Sequence, residues 1–198
     1  MYWYEDEVKR IEKEGRKLNF VPETVFYGSS SIRLWPSVYK DFPDYKPVNL
    51  GFGGSTLAAC VWFFERVMTP YQPKRIIIYA GDNDLGDGRH PEEVFIFFQE
   101  MAVKIKARFG NIPCYFISLK PSISRWHMAN VFRFTNGLIE NEIKTYGDNW
   151  HFVDVFNKML DAAGKPKSEF FAYDGLHLSE KGYALWRAVL LNFIAAKG

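Results

Sequence analysis

The chain has 198 residues, of which 47% are apolar and 24% charged, with a formal net charge of +2. That balance suits a single globular domain, 1–198, able to bury its own core without a disulfide or metal. It argues against a nucleic-acid binder, because the basic residues form no cluster, and against a membrane span, because no apolar run is long enough.

Residues 3–17 alternate acids and bases around Val8 and Ile11, which predicts an amphipathic helix; the segment 1–20 is expected to pack on the core. Acids stand where a secretory leader needs bases, and no apolar stretch follows. The two cysteines, Cys60 and Cys114, lie inside apolar segments with no zinc spacing. Both features lead us to expect a reducing, cytoplasmic setting.

Residues 24–27 form a short apolar run ending at Gly28, the pattern of a buried strand. A second strand is expected over 47–50, then the Gly51-Phe52-Gly53-Gly54 turn, with Ser55 placed to cap a helix running to about 67. The run RIIIYA at 75–80 lacks alternation and so predicts burial on both faces, as in a parallel sheet. Pro91 marks a first helical position, with a helix to about 109. A fourth strand is expected over 113–119, a helix over 127–146, a fifth strand over 150–155 and a last helix over 179–196. Residues 163–169 read as a polar loop. Five strands alternating with helices predict an α/β fold with an open parallel sheet.

Ligands of such sheets bind beyond the carboxyl ends of the strands, so the residues after each strand matter most. The first strand is followed by Gly28-Ser29-Ser30-Ser31, which could cap a helix or expose a nucleophile. The second leads to Gly53-Gly54, a turn or a bare backbone N–H. The third leads to Gly81-Asp82-Asn83-Asp84, a turn or an amide donor. After the fifth, Asp174 precedes His177 by three residues, close enough for a carboxylate to orient an imidazole. Each element alone has an ordinary structural reading. Together they supply a hydroxyl, oxyanion donors and a base, which is what acyl transfer requires. The other histidines, His90, His127 and His151, read as structural or surface groups.

In this combination the chain resembles the SGNH hydrolases, also called GDSL esterases. The resemblance rests on Gly28-Ser29-Ser30, with Ser29 in place of the family's usual aspartate, on Asn49 to Gly54, on Gly81-Asp82-Asn83-Asp84 and on Asp174 to His177. Residues 28–35, GSSSIRLW, also resemble a bacterial branch of that family. The resemblance implies a flavodoxin-like three-layer α/β/α sandwich with a five-stranded parallel sheet, and a shallow, open site. It implies Ser30 as nucleophile, the Ser30 N–H, the Gly54 N–H and the Asn83 amide as oxyanion donors, and His177 oriented by Asp174 as base, with no cofactor and no metal.

The expected activity is hydrolysis of a small-molecule ester with a short acyl group on a polar or carbohydrate alcohol, since no long apolar lid segment is visible. A thioesterase or phospholipid deacylase would use the same residues. A silent scaffold on this fold should have lost one of them, and a nucleotide-binding domain would leave Asp174 and His177 unexplained. Arg33, Trp35, Phe52, Lys120, Arg125 and Trp126 follow strand ends and are candidates to frame the pocket, with packing and surface ion pairs as the alternative reading. The oligomeric state is not legible.

Overall fold

A computed structural model of the chain describes residues 1–197. Five parallel strands form one sheet: β1 (Thr24–Gly28), β2 (Pro47–Gly51), β3 (Arg75–Tyr79), β4 (Cys114–Ile117) and β5 (Trp150–Val153), in spatial order β2-β1-β3-β4-β5. The helices are α1 (Glu5–Gly15), the short α2 (Ser30–Arg33) and α3 (Val38–Asp41), α4 (Leu57–Met68), the short α5 (Asp82–Gly86), α6 (Pro91–Phe109), α7 (Ala129–Ile143) and α8 (Glu180–Lys197).

The missing alternation in the strands has a direct structural cause. Val25, Tyr27, Ile76 and Ile78 point into one core, shared with Val8 of α1, Phe64 of α4, Phe98 of α6 and Ile139 of α7. Phe26, Ile77 and Tyr79 point into the other, with Ile32, Val38 and Trp186 of α8. Both strand faces are therefore dry. Each fully buried Phe or Ile side chain contributes about 1.5–3 kcal/mol through its removal from water. The second core is strongly aromatic: the Trp35 ring meets Phe26, Phe42, Tyr183 and Trp186 at centroid distances of 5.1–6.1 Å.

Because the strand order reverses beside β1, the carboxyl ends of β1 and β3 open the crevice where such sheets bind ligands. These two ends meet unusually closely. A Cβ at Gly28 would stand 1.9 Å from the Tyr79 carbonyl oxygen, and Gly28 has φ +145°. Only glycine fits there. The Ser29 N–H then donates to the Tyr79 carbonyl at 2.9 Å, which carries the chain off β1 straight into α2.

Several boundaries differ from the sequence expectation. The first helix splits into a 3-10 turn, Tyr2–Tyr4, followed by α1, and the helix expected from 127 begins as a 3-10 turn, Trp126–Met128. Strands β4 and β5 are shorter than expected. The Ser118 hydroxyl accepts the Val155 and Phe156 N–H groups at 3.0 and 3.1 Å, so a side chain replaces the ladder there. Ser55 does not cap α4: its hydroxyl donates to the Gly28 carbonyl, and the cap is Thr56, which accepts from the Ala59 N–H at 3.0 Å. The short helices α2, α3 and α5 are too brief to leave a periodic signal. Among the described residues no helix is long and apolar enough to cross a membrane.

Candidate active site

The three serines after β1 occupy different environments. Ser29 takes the position preceding α2, but its hydroxyl makes no capping bond. The Ser29 and Ser31 hydroxyls are buried and find no partner among the described residues. Ser30 is half-exposed, and its Oγ lies 3.1 Å from His177 Nε2. A hydroxyl and an imidazole at this distance are within proton-transfer reach. The same geometry separates Ser30 from Ser31, which shares its composition but not its surroundings.

The imidazole comes from the loop before α8. His177 Nδ1 sits 2.5 Å from Asp174 Oδ2, while Asp174 Oδ1 accepts the Leu176 and His177 backbone N–H groups, each at 2.9 Å. One carboxylate thus braces its own turn, beside the Gly175-to-Ala172 and Ala172-to-His177 backbone bonds, and orients the ring that follows. Burial pushes the Asp174 carboxyl up, but the Leu176 N–H, the His177 ring and the His177 N–H outweigh it and hold it at about 2. With Asp174 charged, Nδ1 carries the proton and Nε2 is free to accept the Ser30 hydroxyl.

Three groups are expected to face an oxyanion. The Ser30 N–H opens α2, where no preceding helical carbonyl can take it. Gly54 has φ +68°, a conformation that favours glycine, and a Cβ there would meet nothing within 4 Å. Asn83, on α5, is 9% exposed. Its Nδ2 donates to the Ser55 carbonyl at 3.1 Å, and its Oδ1 accepts from Arg125 Nη2 at 3.1 Å. These two bonds fix which end of the amide is which, and leave the second Nδ2 hydrogen for another acceptor.

The flanking aspartates are supports. Asp84 accepts the Leu57 and Ala58 N–H groups at 2.6 and 3.3 Å and so tethers the start of α4 to α5. Its burial raises its pKa despite those donors. Asp82 pairs with Lys120 Nζ at 3.1 Å and accepts from the Tyr79 hydroxyl at 3.1 Å. Burial alone would push the Asp82 carboxyl up; Lys120 and Arg125 hold it below the usual range. Removing one member of such a buried pair typically costs about 3–5 kcal/mol.

For part of the candidate pocket frame the packing reading holds. Trp35, Phe52 and Lys120 are each no more than 2% exposed, so they are core and loop supports. Trp35 donates its indole N–H to Asp41, and Phe52 packs on Tyr4, Tyr27 and Phe63. Trp126 stacks on Phe156. Arg125 supports α5, donating to the Asp82 carbonyl at 2.9 Å as well as to Asn83. Arg33 pairs through Nε with Glu7 at 2.6 Å. Sequence reasoning missed Tyr4, Glu7 and Arg10, which reach the 51–54 turn from the N-terminal segment. No spacing signal could have paired residues so far apart in sequence.

Comparisons with known proteins bear on the family and the fold. The model of the GDSL-like lipase/acylhydrolase family matches residues 23–185. No curated protein sequence matches. Among solved structures, a Streptococcus pneumoniae protein described in connection with platelet activating factor is similar with TM-score 0.83 and 22% identity, covering 97% of this chain and 94% of that one. A GDSL-like lipase from Bacteroides thetaiotaomicron superposes with TM-score 0.78 and 21% identity, over 96% and 97% of the two chains. An acetylxylan esterase from Geobacillus stearothermophilus does so with TM-score 0.69 and 13% identity, over 88% and 95%. At these identities the structural likenesses speak for the fold. The family match covers most of the chain: this protein belongs to the GDSL-like lipase/acylhydrolase family and is a serine ester hydrolase of the SGNH type.

Proposed function

We propose that the protein hydrolyses a carboxylic ester carrying a short acyl group on a polar or carbohydrate alcohol, through an acyl-enzyme on Ser30. The observation that carries this reading is the continuous relay from Ser30 Oγ through the His177 ring to Asp174, at 3.1 and 2.5 Å. His177 Nε2 takes the hydroxyl proton as Oγ bonds to the ester carbonyl carbon, and the carbonyl π electrons move onto oxygen. The Ser30 N–H, the Gly54 N–H and the Asn83 amide hold that oxyanion. As the tetrahedral species collapses, the C–O bond to the alcohol breaks, and imidazolium gives its proton to the leaving oxygen. Water, deprotonated by His177, then attacks the acyl carbon and releases the acid and free Ser30.

The short acyl group is supported by two of the similar structures, an acetylxylan esterase and an acetyl esterase. It is supported also by the chain's own crevice, where the large aromatics near the strand ends are spent on the core. The two buried free thiols fit the reducing setting expected from the sequence.

Hydrolysis of p-nitrophenyl acetate by the wild type, Ser30→Ala and His177→Ala tests the mechanism. Each substitution should lower kcat by about 10⁴- to 10⁶-fold with the fold intact by circular dichroism. Near wild-type turnover by Ser30→Ala would refute the assignment. An ester series of increasing acyl length tests the substrate: faster turnover of long chains than of acetyl would remove the short-acyl reading.

A further inference from the structure

The N-terminal segment bonds directly to the backbone around the end of β2. Tyr4, Glu7 and Arg10 are spaced by three, so they share one face of the segment that contains α1. Together they engage the backbone of the turn after β2. Tyr4 donates its hydroxyl to the Gly54 carbonyl at 3.1 Å. Glu7 Oε2 accepts the Gly53 N–H at 2.9 Å. Arg10 Nη2 donates to the Gly51 carbonyl at 2.8 Å. Phe52, between them, takes the Tyr4 ring edge-on at 5.7 Å. All three residues precede the stretch that the family model covers.

The positions of these bonds matter more than their number. The Gly54 N–H belongs to the peptide joining Gly53 to Gly54. Glu7 holds the peptide before it, through the Gly53 N–H, and Tyr4 holds the peptide after it, through the Gly54 carbonyl. Two adjacent glycines form the freest pair of residues a chain can contain, and they lose the most entropy when fixed. An oxyanion donor is effective only when its direction is set before the charge develops. Glu7 is itself braced by Arg33 at 2.6 Å and by Arg10 at 3.4 Å. Burial pushes its carboxyl up, but the Gly53 N–H, Arg10 and Arg33 hold it below the usual range, so the acceptor stays charged.

We infer that Tyr4 and Glu7 are positioning residues for the oxyanion site: they clamp the peptides on either side of the Gly53–Gly54 bond and so aim the Gly54 N–H at the developing charge. This rests on the proposed role of Gly54. The clamp speeds the chemical step without touching substrate, so its loss lowers kcat and leaves KM nearly unchanged.

The test uses the full chain with Tyr4→Phe, Glu7→Ala, Glu7→Gln and, as a control on α1 docking, Glu12→Gln. Tyr4→Phe keeps the ring on Phe52 and removes one oxygen. Glu12 holds α1 to α4 through Arg66 at 3.0 Å and does not touch the turn. Two quantities are read: p-nitrophenyl acetate kinetics and amide hydrogen exchange over residues 51–54. The clamp requires Tyr4→Phe and Glu7→Ala to lower kcat about 5- to 20-fold with KM within about twofold, and to speed exchange at 51–54 while β1 stays protected. Glu7→Gln, which still offers a carbonyl oxygen to the Gly53 N–H, should recover most of kcat, and Glu12→Gln should match the wild type. Folded Tyr4→Phe and Glu7→Ala variants with wild-type kcat, or with unchanged exchange at 51–54, would overturn the inference. So would a kcat loss that Glu12→Gln reproduces, since that reports docking of α1 alone. Failure of the underlying reading is distinguishable, because it shows as activity that survives Ser30→Ala.

Discussion

The two sides of the crevice are built in opposite ways. On the base side, Asp174 and His177 are three residues apart, and the carboxylate itself accepts the Leu176 and His177 N–H groups and meets the His177 ring. Their side chains remain 48% and 30% exposed. On the oxyanion side, Gly54 and Asn83 come from different crossovers, and their partners come from the N-terminal segment, the turn before α4 and the loop after β4. The difference is physical. A base passes its proton to the leaving alcohol and then takes one from water, so it benefits from solvent access. Oxyanion donors must already point the right way, and long-range buried bonds are the means of fixing them.

The largest effect should come from breaking the local side. Asp174→Asn keeps the shape but presents an amide to Nδ1, so the ring holds its proton on Nε2, facing Ser30. A fall in kcat of about 10⁴-fold is expected from that wrong tautomer. A fall below tenfold would mean that water reaching the exposed ring restores the tautomer, and that the base side depends less on Asp174 than its geometry implies.

Next in size is Asn83→Ala, which removes one oxyanion donor and should lower kcat by about 10²- to 10³-fold with little change in KM. Smaller again is Arg125→Met. It leaves Lys120 to pair with Asp82 but frees Asn83 Oδ1, so the amide can turn over. A roughly tenfold loss of kcat is expected, together with a KM near the wild-type value. An unchanged kcat would show that the Ser55 carbonyl alone orients Asn83.

The smallest effect concerns stability and pH. Asp174 has a folded pKa of about 2 against an ordinary 3.8. Its contribution to folding is therefore complete above the ordinary value and is lost as the pH falls from there through about 2. Acid unfolding followed by fluorescence should show Asp174→Asn converging on the wild type across that window. A constant difference between the two down to the lowest pH would contradict the linkage. Because the group is half-exposed, the difference should be modest.

The base side was the more legible in sequence for the same reason that it is local. A carboxylate three residues before a histidine can be read directly from the chain. The strand cores were legible too, because burial on both faces abolishes alternation, as in Ile76, Ile77 and Ile78. For Trp35, Phe52 and Lys120 the sequence left pocket framing and packing both open, because position after a strand end gives no information on which way a side chain turns. Ser55 and Thr56 show the same limit on a smaller scale: either can cap α4, and the neighbouring Gly28 carbonyl takes the first.

What the sequence determined by itself is the order of parts: five strands, polar residues after each, and a serine, a glycine pair, an asparagine and an Asp-x-x-His turn placed to meet at one edge. These follow from periodicity and local chemistry, which act over a few residues. What the tertiary structure decided is which of three serines faces the imidazole, which polar groups became buried braces, and that the first helix reaches the 51–54 turn. Those outcomes depend on contacts between residues tens of positions apart, and only the closed fold brings them within bonding distance.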